Sequence, residues 1–575
     1  MMRILVLVKQ IPDLSSIRFD ASTGRIIREN VQLQINSFDK KGLEEAVRIK
    51  EKHGAEVIVA TMGPPSASDV LNLGLRMGAD RGILITDRKF AGADTLVTST
   101  VLAALVHRME PDLVFAGKYS LDGETSQVPP EAAVMSGFSF RSAVTSIEFS
   151  PDMKSAEVEC ERETGLERTR VTLPSVFSVS EKLNKARFVR PSVPDMSDRI
   201  EIWDSVKLGV TISGSDSPTV VEGTEAVDST RRVMFLDSVE KAYEIIAERG
   251  SGNRHQPESI HLEEEQMGRE YVWGIAFSDK EVAREIAAKI CDISRGNFNV
   301  RIIGNIDPSQ LEGLPCHEYV YVPVSTARAF SDYLTGRLMR ESPPFVVLPS
   351  TVDGRDIAGT IAGTRRLGLT ADCIDLQYRD GKLYQYKPAF GGGVVARIVS
   401  RTLPAMATVR RGVFKARNSP TKFRIIRVEH ADQYASERIG FEPVSAHYES
   451  LFQNRIVIAV GKGMGGRENL EKVLELARNL KASVGATRPI VDLGWVPRQQ
   501  QVGITGFSIS PDVYIAVGIS GHDNHVFGIR YAGTVISVNN SADAPIFKYS
   551  DYGLVMDSVK FLEDLAALAR KSQVQ

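Results

Sequence analysis

The opening stretch alternates short β-branched runs with amphipathic segments: RILVLV, KKGLEEAVRIKEKHG, AEVIVATMG, SASDVLNLGLRMGAD, RGILIT and DLVFAG. Strand-length runs separated by helix-length segments predict a parallel sheet covered on both faces. The rhythm returns from about Tyr271 as YVWGIAF, SDKEVAREIAAKICD, NVRIIGN, YVYVPV, STARAFSDYLTGRLM and FVVLPS. A third block, from about Asn454, runs RIVIAVGKGMGG, RENLEKVLELARNLKA, SVGATRPIVD, DVYIAVGISGHDNH, TVISVNNSADAPIF and DSVKFLEDLAALARK, with glycines gathered at the strand ends. Parallel sheets bind ligands beyond the carboxyl ends of their strands, so those loops are where chemistry is expected.

The first two blocks share more than a rhythm. DLVFAG is followed by Asp122-Gly123-Glu124 and FVVLPS by Asp353-Gly354-Arg355, while Leu173-Pro174 corresponds to Leu403-Pro404. The offsets, 353 − 122 = 231 and 403 − 173 = 230, agree in order and spacing, which argues for two copies of one α/β domain. Between them, Pro, Ser and Gly clusters, the acidic HLEEEQMG and one helical segment, DSVEKAYEIIAERG, read as a connecting arm. The expected organisation is a domain over 1–190, an arm over 191–268, a second copy over 269–430 and a last domain over 431–575.

Charge and composition narrow the partners. Lys+Arg 70 against Asp+Glu 72 gives a formal charge of −2 over 575 residues, which excludes a general affinity for nucleic acid or anionic membrane and leaves local sites. The run ILVLV, interrupted by Lys9, is shorter than the ~7–15 residues of a signal-peptide core. No stretch reaches the ~18 apolar residues of a membrane span. Cys160, Cys291, Cys316 and Cys373 show no C-x-x-C spacing, so no metal site is expected. The expectation is a metal-free cytoplasmic chain, not membrane-embedded.

Gly461-Lys462-Gly463-Met464-Gly465-Gly466 satisfies G-x-G-x-x-G between a strand and a helix, where glycines let the backbone approach a phosphate. Where a dinucleotide fold would supply an acidic ribose ligand, this chain has Thr487 and Arg488, so a tight strand-to-helix turn is an equal reading. Further strand ends add Gln501 to Gly506, Ser520-Gly521-His522-Asp523-Asn524-His525, Asn539 and Asp551. No nucleophile–base pair stands among them. They offer hydrogen-bond donors and one guanidinium, which suits a redox cofactor that gains negative charge without bond-making by the protein.

The runs GATRPIVDLGWVPRQQQVGITG, YIAVGISGHDNH and NNSADAPIFKYSDYG resemble the FAD-binding domain of the electron-transfer flavoprotein α subunit. NSFDKKGLEEAVRIKE, MGADRGILITD and LPSVFSVSEKLN resemble the β subunit of the same family. The resemblance implies a fused chain, β-like half first, folded as two related parallel-sheet nucleotide-binding-like domains plus a C-terminal FAD-binding α/β domain. It implies that Arg488 lies against the flavin ring, Thr505 donates near N5 and His525 stands near the O2 side; these are the expected catalytic residues. Positive charge and donors there would favour the reduced, anionic flavin and raise its potential. Thr487, Gln501, Val502, Gly503, Gly506, Ser520, Gly521 and Asn524 are the expected backbone or ribityl-phosphate contacts. Asn539 and Asp551 match the adenosine end. Two departures are Lys462, where many members have arginine, which keeps the charge but loses the bidentate fork, and Ile504 in place of a glutamine.

A second nucleotide site is implied in the β-like half, holding AMP in ordinary members and FAD in electron-bifurcating ones. Phe90 to Ser99 is similar to the GADTLAT stretch of the bifurcating type, and Asp122-Gly123-Glu124-Thr125-Ser126-Gln127-Val128 resembles its DGDTAQV loop. Asp94, Thr95 and Thr98, with Val8, Asn36, Phe38, Asp39, Met62 and Gly63, complete the expected pocket; Asp94 or Thr95 also reads as a helix N-cap. A second FAD with NADH as hydride donor is favoured, with AMP as the alternative. Implied partners are dehydrogenases and a quinone oxidoreductase or ferredoxin-type acceptor, the chain being a monomer or a homodimer. The docking loop is expected over Asn184 to Met196, anchored by Val193 or Met196, and the tether of a swinging FAD domain near Arg417 to Gly440. A non-redox nucleotide-binding module is the rival reading.

Overall fold

The computed structural model describes residues 1–13, 18–19, 26–27, 32–163, 165–226, 231–251, 259–390, 393–429, 437–443, 451–452, 454–503 and 506–574. Three parallel sheets organise it. In the first, the order is Arg81–Ile85, Glu56–Met62, Arg3–Leu7, Leu113–Gly117, Ser175–Val179, which is 3-2-1-4-5 among the parallel strands of the repeat. The second repeats it with Glu318–Tyr321, Asn299–Gly304, Tyr271–Ala276, Phe345–Pro349, Ala405–Val409. The duplication read from spacing is therefore a duplication of topology, and Leu173-Pro174 and Leu403-Pro404, both cis, precede equivalent strands.

The strands form where β-branched runs are buried on both faces: Leu113–Gly117 and Phe345–Pro349 are buried along their whole length. The covering helices keep one apolar face. Along Ser37–His53 the buried positions Phe38, Gly42, Leu43, Ala46, Val47 and Ile49 follow helical spacing, and Gly54 ends the helix at φ +76°. Between the copies the equivalent helices Val128–Ser136 and Val352–Arg365 pack on each other; a Cβ on Gly359 would lie 2.6 Å from Pro130 Cγ, and one on Gly363 2.6 Å from Val134 Cγ1. Alanine at either position would drive the helices apart.

The copies differ in two places. In the first, the antiparallel strands Ser139–Phe149, Ser155–Arg162 and Gly165–Thr172 continue the main sheet; in the second, Asp375–Arg379, Lys382–Ala389 and Val394–Ser400 form a separate four-stranded sheet with Thr219–Ala226. The repeat offset places the start of the first copy's helix at 352 − 231 = 121, yet it begins at Val128. The intervening residues are unwound, with Glu124 at φ 51° and Ser126 at φ 57°. Non-glycine residues in this region cost of order 1–3 kcal/mol each, and such residues gather at ligand sites.

The last sheet runs Ala482–Ala486, Ile456–Val460, Val513–Val517, Thr534–Asn539, Tyr552–Val555, Met234–Phe235, all parallel. Its outer strand and the helix Val239–Ser251 come from the stretch read as an arm; Val239, Ala242 and Ile246 are buried in one core with Phe561 and Leu565. Other parts of that stretch join other sheets: Ile200–Trp203 edges the first sheet and Thr219–Ala226 the four-stranded one. Within the expected tether, Arg424–Arg427 edges the second sheet, and Glu437–Pro443 begins in it and pairs with Gly165–Thr172 of the first. Residues 430–436 lie outside the described residues.

Candidate cofactor sites

In the C-terminal sheet the chain order reverses between Ile456–Val460 and Val513–Val517, the switch point beyond which ligands of open α/β sheets bind. The glycine loop after the first of these strands packs on the loop after the second: a Cβ on Gly461 would meet the Gly518 carbonyl at 2.3 Å, and one on Gly463 would lie 2.8 Å from Gly518 Cα. The N–H groups of Gly461, Gly463, Met464 and Gly465 donate to Val517, Gly518, Gly461 and Lys462 carbonyls. These glycines thus serve a close crossing of two loops, and of the two readings of G-x-G-x-x-G the tight turn describes those four amides. Lys462 is exposed on this loop.

The bridge Ala486–Gln501 prolongs the edge strand and brings Thr487 beside the loop from Gln501. Gly503, at φ +136°, lies against the backbone of Asn524, where a Cβ would be 2.5 Å from its carbonyl oxygen. Thr487, Gln501, Val502, Gly503, Gly506, Asn524 and His525 therefore converge at one corner of the sheet. Ser520 and Asn524 are exposed, and Gly521, at φ +89°, packs on the Ile546 amide. Thr505 and Ile504 lie outside the described residues.

His525 is buried, and both ring nitrogens are engaged: Nε2 is 2.8 Å from the Tyr514 hydroxyl and Nδ1 3.1 Å from the Val502 carbonyl. Burial lowers its pKa to about 4. A neutral ring that donates from Nδ1 to Val502 and accepts at Nε2 from Tyr514 satisfies the set, so in this conformation no imidazole N–H is turned outward. Arg488 has an exposed side chain, 3.3 Å from Asp492, and its charge, after burial, helps lower the pKa of Lys41 in the first copy.

Two adenosine-end expectations separate. Asn539 ends its strand at the carboxyl edge, donating to the Ile519 carbonyl and accepting from the Ser541 amide. Asp551 is not there. It precedes Tyr552–Val555, accepts from the Val535 amide at 2.8 Å and ion-pairs with Arg231, so it sits at the amino edge of the sheet, a strand length of roughly 16 Å away at ~3.3 Å per residue. The carboxylate at the correct edge is Asp557, whose Oδ1 accepts from the amides of Val559 and Lys560 and whose neighbour Met556 pairs with Asn539. The signal for it is the second acidic residue of DYGLVMD, the one that follows the strand.

In the first copy a cavity of about 740 Å³ opens beyond the strand ends, within the ~300–1,000 Å³ range of small-molecule sites. Of the residues expected at a second nucleotide site, Val8, Asp39, Met62, Gly63, Asp94, Thr95, Thr98, Gly123, Thr125, Ser126, Gln127 and Val128 line it. Four expected residues do not. Asn36 and Phe38 are buried behind Asp39 and Tyr119, Asn36 donating to the Asp39 carboxylate and the Tyr119 carbonyl at 3.0 Å each. Asp122 is bound to Lys9 at 2.7 Å, and Glu124 faces a neighbouring cavity. Asp94 caps the helix Thr95–Met109 and also accepts from Thr219 at 2.8 Å, tying the arm to the cavity mouth. Asp39 accepts from the amides of Lys9 and Gly117 at 2.8 and 2.9 Å; burial still pushes its carboxyl up to about 7.

The cavity continues into the second copy, where Thr370, Ala371 and Lys387 line it. Thr370 Oγ1 is buried without a hydrogen-bond partner among the described residues, and Lys387 is buried with Nζ 3.3 Å from the Pro388 carbonyl. These polar groups suit a ligand that reaches past an adenylate. The neighbouring 240 Å³ cavity lies where all three sheets meet and is lined by Gly503, Gly506, Arg355 and Arg410; Asp372 holds both arginines, and Arg410 reaches Ser508 of the C-terminal sheet at 3.3 Å. Tyr119 and Ser126 line both cavities. In the expected docking loop, Met196 packs on the first core and Val193 is half-buried, whereas Phe188 is 82% exposed.

Duplicated α/β domains with a nucleotide-sized cavity, joined to a sheet whose donors gather at its switch point, define a cofactor-binding α/β protein. Family comparison gives it a place: the electron transfer flavoprotein domain matches residues 23–207 and 320–433, and the electron transfer flavoprotein FAD-binding domain matches residues 450–530. The chain belongs to the electron transfer flavoprotein family, whose function is electron transfer through a flavin, with FAD as the cofactor of the C-terminal unit. It is 36% identical to protein FixB of Rhizobium meliloti over 42% of this chain and 71% of the relative. It is 36% identical to an electron transfer flavoprotein subunit alpha of Thermoanaerobacterium thermosaccharolyticum over 44% of this chain and 77% of the relative. It is 35% identical to an electron transfer flavoprotein subunit beta of Clostridium acetobutylicum over 43% of this chain and 97% of the relative. Parts that occur as separate subunits are thus fused in one chain. Among the described residues no helix is long and apolar enough to cross a membrane, and no cluster of His, Cys, Asp or Glu could hold a metal ion.

Proposed function

We propose that this chain is an electron carrier of the bifurcating type, which takes electrons from NADH at a second FAD in the first copy and passes them through the C-terminal FAD. Its partners are then dehydrogenases and a quinone oxidoreductase or ferredoxin-type acceptor. The carrying observation is the reach of the 740 Å³ cavity into the second copy, to the unpartnered Thr370 hydroxyl and the buried Lys387. An adenylate alone would leave the Thr370 hydroxyl without a partner, at a cost of ~1–3 kcal/mol, and the Lys387 ammonium with only the Pro388 carbonyl.

Bound FAD supplies reversible acceptance of electrons. The chain does the rest. The helix Thr95–Met109 offers the N–H groups of its first turn and the Thr98 hydroxyl to phosphates, while the Thr95 hydroxyl donates to Gln127 at 2.8 Å. Lys387 holds positive charge where negative charge develops, and in low dielectric that charge acts strongly. Arg488, Thr505 and His525, with Thr487, Gln501 and Asn524, are the proposed flavin contacts of the C-terminal unit. His525 enters the set by exchanging its Tyr514 or Val502 contact for the ligand. The functional units are 1–190, 269–430 and 431–575, with 191–268 lacing them together.

The test is a count of FAD and AMP released per chain on denaturation, followed by anaerobic addition of NADH while flavin absorbance is watched. Two FAD, no AMP and bleaching are expected. One FAD with one AMP and no bleaching would leave a simple carrier with a structural nucleotide and overturn the proposal.

A further inference from the structure

The second copy keeps a cavity of its own, about 510 Å³, at the place equivalent to the nucleotide-sized cavity of the first. Val8 and Lys9, after Arg3–Leu7, line the first cavity; Phe277 and Ser278, after Tyr271–Ala276, line this one. Asp94 caps the helix that closes the first, and Thr326 caps the helix Ala327–Leu338 that closes the second, 326 − 94 = 232 residues on, within two of the repeat offset. Ser278 is held at φ 59°, a conformation that non-glycine residues keep mainly where a site needs it.

Three arginines line the cavity, and two are neutralised. Arg162 lies 2.8 Å from Glu167 and 3.3 Å from Asp353, and Arg328 lies 2.9 Å from Asp332. Arg141 differs. Its guanidinium donates to the carbonyl of Phe140 at 2.6 Å, and among the described residues no carboxylate stands within ion-pair distance of it. Burial, with the charge of Arg162, lowers its pKa, and the carboxylates of Glu167 and Asp356 on the same cavity wall offset only part of that. A guanidinium in that position calls for an oxyanion, which it binds through paired charge-assisted hydrogen bonds. Phe140, Phe277 and Phe441 supply flat apolar walls around it.

We propose that this cavity binds a mononucleotide-class ligand, its phosphate on Arg141 and its base among Phe140, Phe277 and Phe441. The site is separate from the cavity assigned to the second FAD, so it stands whichever nucleotide that cavity holds. No bond is made or broken there; the ligand is held, and the interface between the two copies is held with it, because Phe140 and Arg141 belong to the first copy and Phe277 and Ser278 to the second.

The test is equilibrium dialysis of labelled AMP and of adenosine against the full-length flavin-loaded protein. One AMP per chain is expected beyond the nucleotides retained on purification, with adenosine about tenfold weaker, as loss of one charge-assisted contact implies. Arg141→Met should weaken AMP by about the same factor, and Phe441→Ala, on an exposed strand, by several-fold, with FAD content unchanged in both. No uptake at millimolar AMP, or equal binding of adenosine and AMP, would overturn the proposal. So would uptake that neither variant weakens, which would mark exchange into the first cavity. If Arg141→Met loses flavin, Phe441→Ala decides.

Discussion

The Tyr514 hydroxyl lies 2.8 Å from Nε2 of His525, beneath the corner of the C-terminal sheet where the proposed flavin contacts converge. Burial holds the imidazole neutral. The unfolded chain takes up a proton near pH ~6.5, whereas the folded ring resists it down to about pH 4, so the contribution to stability is full above ~6.5 and falls as the pH drops to 4. The loss is on the order of 3 kcal/mol, at 1.36 kcal/mol per pH unit. His525→Gln should flatten this limb. Melting temperatures of variant and wild type at pH 7 and pH 5 measure it, and equal losses would contradict it.

Glu131 gives the opposite slope. Burial, reinforced by the charge of Asp94, pushes its carboxyl up to about 8, while its oxygens face the hydroxyls of Ser99 at 2.8 Å and Thr95 at 3.4 Å. The folded protein keeps a proton that the unfolded chain releases near pH ~4.5, so the stabilisation is full in acid and lost as the pH rises through 8. Glu131→Gln should be more stable than wild type at pH 8, the difference closing toward pH 5. Denaturant titrations at the two pH values check it.

The two edges of the C-terminal sheet separate two aspartates. Asp551→Asn should leave FAD affinity within about twofold and lower the stability of the unit by ~1 kcal/mol or more, because the Arg231 guanidinium loses its carboxylate. Asp557→Asn should weaken FAD by about tenfold. Flavin fluorescence on titrating apoprotein reads both, and a reversed order would return Asp551 to the site.

Gly117 ends the strand Leu113–Gly117 with no room for a side chain: a Cβ would lie 2.4 Å from Asp39 Oδ1 and 2.7 Å from Phe38 Cβ. Gly117→Ala should cost ~1–3 kcal/mol by overpacking and displace Asp39 from the cavity wall. The expected result is a lower urea midpoint together with less nucleotide released from the first copy on denaturation.

The repeat was legible because its markers, the D-G turn and the L-P pair, are short-range features that keep their spacing when surface residues drift. What lay hidden depends on tertiary partners. Nothing in Asp122 to Gln127 announces that the helix of its twin is unwound there, since the unwinding is imposed by the cavity it walls. The arm is Pro- and Ser-rich, and Met234–Phe235 is too short a strand to show without the Tyr552–Val555 edge that receives it. Asp551 was placed by its neighbours in a motif, and sequence order does not say on which side of a strand a loop residue falls. Residues such as Thr95, Thr98 and Gln127, tied to strand ends and a helix start, line the cavity where their local setting put them.

The lacing of the chain has a consequence for how such a protein can be divided. Met234–Phe235 and Val239–Ser251 complete the last sheet, while Glu437–Pro443 returns to the first. A backbone cut anywhere between Ser251 and Glu437 leaves each fragment holding a strand that belongs in the other's sheet. Fragments of this molecule would reunite by trading strands rather than by meeting across finished surfaces.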